Sequence, residues 1–91
     1  MSHGLVVKRD GTDQKFDERK LYASIFLSLR VANEPERQAE IIADEIVIIL
    51  KRWLEKKTHI TARDMRSHAS HHLREYNHVA AYIYMHHRTL S

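Results

Sequence analysis

The chain has 91 residues, with hydrophobic residues at 43% and charged residues at 30%; that is enough for one core, and it excludes disordered and collagen-like classes. Cysteine is absent, which removes disulfide frameworks, thiolate metal sites, iron–sulfur clusters and cysteine nucleophiles together. The net charge of +3 is uneven: residues 1–50 carry seven Lys/Arg against nine Asp/Glu, residues 51–91 eight against three, and a basic second half suits an anionic partner.

In chain order, Asp10-Gly11 signals a tight turn, because glycine tolerates positive φ. Its flanks, Leu5–Arg9 and Thr12–Phe16, read as two short strands. A lone hairpin is marginal in water, so it must lean on something else. Asp17 is a good N-cap for a helix from about Glu18 to Ala32, with Leu21, Ile25, Leu29 and Ala32 on one face. Asn33 and Pro35 end that helix and start the next. The second helix, roughly Glu36 to Lys57, has a wide apolar face: Ile42, Ile46, Ile49, Leu50 and Trp53, with Ile41 and Ile48 beside it. Such width implies several neighbours. Thr61 caps a third helix with Asp64 as its capping-box acid, and the face is Met65, Ala69, Leu73 and Tyr76. A break at Asn77 leads to a fourth helix with Val79, Ala80, Ile83 and His87 on one side. The expected fold class is α+β, mostly α: an N-terminal β-hairpin capping a four-helix bundle, all one domain over 1–91.

No catalytic constellation is visible. The chain lacks the Gly-Lys-Ser/Thr end of a phosphate-binding loop and any Gly-x-Gly-x-x-Gly run. His59 and Asp64 have no serine in an elbow context to serve. The expectation is no enzyme. The longest apolar stretch, Ile46–Leu50, is far short of the roughly 20 residues a membrane span needs. The first ten residues show no apolar run of a signal peptide, so a cytoplasmic setting is expected.

Polar chemistry gathers at Lys8-Arg9 and Lys20. Strand alternation sends Lys8 and Arg9 to opposite faces, and Lys20 sits in the first turn of a helix, where backbone N–H groups favour anions. On the residues alone the cluster reads first as solvated edge-strand charge that discourages aggregation, and second as a triphosphate site. His68 and His72 stand i,i+4, a spacing that can hold Zn²⁺. With no carboxylate at ligand spacing on that face, they read as partly buried histidines, and no metal site is expected. Trp53, Tyr76, Tyr82 and Tyr84 read as packing residues.

The string Val6-Val7-Lys8-Arg9-Asp10-Gly11, four residues, then Phe16-Asp17-x-x-Lys20-Leu21, resembles the opening of the ATP-cone domain. Ala43-Asp44-Glu45-Ile46-Val47 resembles the acidic-apolar stretch of that family's long helix. Ile60-Thr61 with Met65 resembles a later helix start, and Val79-Ala80-x-Tyr82-Ile83-Tyr84 with Arg88 resembles the closing segment. The likeness covers about residues 4–88. It departs at Gln14 or Lys15, where the family is often acidic, and at His87, where it has tyrosine.

The resemblance implies a regulatory module that binds ATP or dATP, as found in ribonucleotide reductases and in the repressor of reductase genes, here expected to stand alone. Mg²⁺ is expected with the nucleotide. Lys8, Arg9 and Lys20 would hold phosphates; Val7, Phe16 and Leu21 would flank adenine; Thr61 and Arg66 would add polar contacts. A module of this kind would signal through self-association or by docking on a reductase or a transcription factor. Two other readings remain. One is a nucleic-acid-binding helical domain using Lys51, Arg52, Lys56, Lys57, Arg63, Arg66 and Arg74, ranked behind because these scatter around two helices with no recognition motif. The other is a protein-interaction bundle.

Overall fold

The computed structural model describes the backbone of residues 6–9, 12–57 and 60–86, with side chains from Lys15 onward. The order is β1 (Val6–Arg9), β2 (Thr12–Lys15), α1 (Glu18–Val31), α2 (Glu36–Glu55), α3 (Ala62–Tyr76) and α4 (His78–His86). The strands pair antiparallel from Val6↔Lys15 to Arg9↔Thr12. The expected Asp10-Gly11 turn lies outside the described residues, as do His59, His87 and Arg88.

Asp17 caps α1 with extended backbone, and its carboxylate accepts from the amides of Arg19 and Lys20. The buried stripe is Leu21, Ser24, Ile25, Ser28 and Leu29. Serine is tolerated in it because Ser28 Oγ donates to the Ser24 carbonyl at 2.8 Å, the back-bond that lets a hydroxyl sit inside a helix bundle. Asn33 ends the helix at φ 70°, in the left-handed region that asparagine tolerates. The amide of Glu34 then reaches the Leu29 carbonyl at 2.9 Å and that of Asn33 reaches Arg30 at 3.0 Å, the paired bonds of a Schellman stop. Pro35 follows and opens α2.

Helix α2 buries Ala39, Ile42, Ala43, Ile46, Val47, Leu50 and Leu54. It ends at Glu55, two residues before the expected Lys57. Ile41 and Ile48, expected beside the apolar face, are exposed. Helix α3 starts on the expected capping box: the Asp64 amide donates to Thr61 Oγ1 at 3.0 Å and the Thr61 amide to Asp64 Oδ2 at 3.2 Å. Tyr76 was expected on its buried face but is exposed, because its hydroxyl reaches out to Glu45 Oε2 at 2.9 Å.

Helix α4 is rotated from the expected face. Ala80, Ala81 and Tyr84 are buried, while Val79 and Tyr82 are exposed. The small alanines let α4 approach both α1 and α3, which it contacts. The helices form a ring in which α1 touches α2, α2 touches α3, α3 touches α4 and α4 closes on α1.

The α+β expectation is corrected. Every residue of the main described core lies on α1–α4. The two strands are four residues each and meet the bundle through β1 against α3. The architecture is all-α, a four-helix bundle with a short ladder attached. Phe16, just after β2, packs against the main core and also against a second cluster made by Leu54 and Ile60. No helix among the described residues is long and apolar enough to cross a membrane.

Candidate functional site

The passage from β2 into α1 carries the most concentrated polar chemistry. Lys15, Phe16, Asp17, Glu18 and Arg19 line an open cleft of about 490 Å³. The aromatic ring of Phe16 is half-buried at its base, while Lys15, Asp17, Glu18, Arg19 and Lys20 are exposed. Such a cleft offers one apolar surface rimmed by charge.

The charges do not act equally. Asp17 Oδ1 accepts the Arg19 and Lys20 amides at 3.1 and 3.2 Å. The amides that the sequence reading offers to an anion are therefore already taken by the chain's own carboxylate, and an incoming anion must be met by side chains. Glu18 is held across to α2 by Lys51 Nζ at 3.1 Å, which leaves its charge partly compensated. Three cations, Lys15 at the end of β2 and Arg19 and Lys20 in the first turn of α1, stand exposed here. In so exposed a place each gives local attraction and little stability.

The expected site residues divide into four groups. Phe16 lines the cleft, and Lys20 follows directly on α1. Leu21 is 4% exposed and belongs to the helical core, not to the cleft lining. Thr61 and Arg66 are at the start of α3, the helix against which β1 rests. The Thr61 hydroxyl oxygen is engaged by its capping box. The positive charge of Arg66 acts on the Tyr84 hydroxyl, against the much larger effect of burial, which pushes that phenol up to about 12. Arg66 thus lies near the α3–α4 seam. Val7, Lys8 and Arg9 run along β1 opposite Gln14, Asp13 and Thr12; their side chains lie outside the described residues.

Two lining residues escaped the sequence reading. Arg19 had no motif to mark it, although a cation beside an N-cap at a strand-to-helix junction is a usable signal. Lys15 was noted only as a departure from an acidic position. Its positive charge makes this cleft more receptive to an anion.

No curated protein and no solved structure matches the chain. The family model of the ATP cone domain matches residues 4–89. Spanning the hairpin, the cleft and all four helices, that match establishes that the chain belongs to the ATP-cone family of nucleotide-binding regulatory domains.

Proposed function

We propose that the protein senses adenine nucleotides, ATP or dATP, without turning them over, as a single domain over residues 1–91. The observation that carries the reading is the cleft between β2 and α1, where Phe16 lines the cleft together with Lys15 and Arg19, and Lys20 follows in sequence, all within the family's matched span. Phe16 supports the base, and Lys8, Arg9 and Lys20 receive phosphates, joined by Lys15 and Arg19. Val7, Leu21, Thr61 and Arg66 complete the candidate set carried over from the family. Mg²⁺ accompanies the triphosphate and offsets part of its charge. The setting is cytoplasmic.

A ligand moves an equilibrium only by binding two states unequally. The output is therefore a change in self-association, or in docking on a reductase or transcription factor. Exposed Tyr82, Val79 and Val31 supply apolar surface for either.

The test is a melting panel of ATP, dATP, ADP, GTP and CTP with Mg²⁺, followed by sedimentation with and without the nucleotides that bind. A ligand at a hundred times its Kd stabilises the fold by about 2.7 kcal/mol. A selective rise with adenine nucleotides is expected. Equal shifts with GTP and CTP, or none with any nucleotide, overturn the reading, and steady phosphate release overturns its non-catalytic part.

A further inference from the structure

We propose that His68 and His72, on the middle of α3, form a two-ligand site for a divalent cation of the zinc class, separate from the β2–α1 cleft. Their spacing of four residues puts both rings on one helix face. In the structure the two Nε2 atoms face each other at 3.3 Å, with the rings edge to face and their centroids 4.8 Å apart.

That separation is informative. A neutral pair at this distance shares one proton, one ring donating and the other accepting. When that proton moves to Nδ1 of the donating ring, both Nε2 atoms present a lone pair on the side where the rings meet. Two nitrogens bound to a tetrahedral zinc at about 2.0–2.1 Å stand about 3.3 Å apart. The pair therefore has the nitrogen separation of a chelate.

The surroundings hold that arrangement. The Trp53 ring of α2 stacks on His68, with centroids 4.2 Å apart and planes 13° from parallel. This fixes the imidazole and shields one face from water. On the other side Glu75 Oε1 lies 4.0 Å from His72 Nδ1, beyond hydrogen-bond distance, so it acts only as a weak electrostatic neighbour. Burial first, and then His72, His71 and Lys57, hold the His68 pKa below its ordinary value.

Among the described residues no three ligating side chains gather at one point. The chain thus supplies two ligands, and water fills the remaining positions. Such a site is open, exchangeable and of modest affinity, unlike a closed structural zinc.

The test is a Zn²⁺ titration, without nucleotide, of the full chain carrying ¹⁵N-labelled histidine, following each imidazole nitrogen by NMR. One saturable event that moves the His68 and His72 Nε2 signals is expected. H72Q keeps the Trp53–His68 stack and should weaken Zn²⁺ binding roughly tenfold or more, while H71Q should leave it unchanged. Zinc that shifts other histidines but leaves His68 and His72 unmoved overturns the proposal, as does an H72Q protein that binds Zn²⁺ like the parent. The titration of the unmodified chain decides the matter even if H72Q fails to fold.

Discussion

Asn77 and Glu34 join two corners of the bundle: Asn77 Nδ2 donates to Glu34 Oε2 at 2.9 Å across 43 residues of sequence. The same Asn77 side chain accepts the Ala80 amide through Oδ1 at 3.0 Å. One residue therefore caps α4 and ties it to the α1–α2 turn. Asn77→Asp keeps a capping oxygen but sets a carboxylate against Glu34. It should cost about 1 kcal/mol or more, read by urea denaturation. Adding Glu34→Gln, whose amide can donate to the new carboxylate, should restore much of that loss. Equal stability of Asn77→Asp and the parent would show that the bond contributes nothing.

For nucleotide binding, Lys20→Ala should weaken ATP by about 1.5–3 kcal/mol, the range for hydrogen bonds to charged groups. Adenosine, which has no phosphate, should bind the variant and the parent alike. Arg19→Ala should act in the same direction, since Arg19 lines the cleft itself. Isothermal titration measures each. Undiminished ATP binding by both variants would remove these side chains from the phosphate site.

The orientation of α4 can be checked by packing. Ala81 is 2% exposed and Tyr82 is 64% exposed. Ala81→Leu forces three extra side-chain carbons into a closed seam and should cost about 1–3 kcal/mol. Tyr82→Ala should change stability by no more than about 0.5 kcal/mol. The reverse order in thermal melts would mean that α4 presents its other side to the core.

Tyr84 gives a pH prediction. Burial raises its phenol from 10.0 to about 12, so the folded chain keeps this proton where the unfolded chain has released it. Between those values the native state binds more protons, and stability falls as pH rises. Below pH 10 the contribution is fully present; it is lost on the way to about 12. Tyr22 and Tyr76 are shifted upward too, Tyr22 mainly by desolvation and Tyr76 mainly by its bond to Glu45. Tyr84→Phe should therefore reduce, without abolishing, the alkaline loss measured by denaturation from pH 9 to 12. An unchanged slope would mean that Tyr84 ionises as freely in the fold as outside it.

Local signals carried furthest in the sequence. Asp17, the Thr61–Asp64 box, and the Asn33-Pro35 stop are short-range devices, and each sits where its chemistry places it. The heptad-like spacing of Ile42, Ile46 and Leu50 likewise marks a buried stripe. What needed the structure was tertiary. In α4, Val79, Ile83 and the tyrosines are apolar all round, so periodicity cannot choose a face, and the choice falls to Ala80 and Ala81 because only small side chains fit between α1 and α3. The hairpin's place depended on what it leans against, which no pattern of Val6–Arg9 reveals. In the cleft, the sequence marks Phe16 and Lys20, but the engagement of the first-turn amides by Asp17 depends on how that carboxylate turns.

The ring of helices also bears on how the chain builds itself. Three of its four seams join elements adjacent in sequence, so they close over short loops at small entropic cost, the kind of connectivity that folds quickly. The fourth seam, α4 on α1, spans most of the helical chain and must form over the longest loop. It is sealed through Ala80 and Ala81, which lose little side-chain freedom when buried. The seam that spans the longest loop is thus made by residues with little side-chain freedom to lose, and a bulky substitution there both strains it and adds an ordering cost.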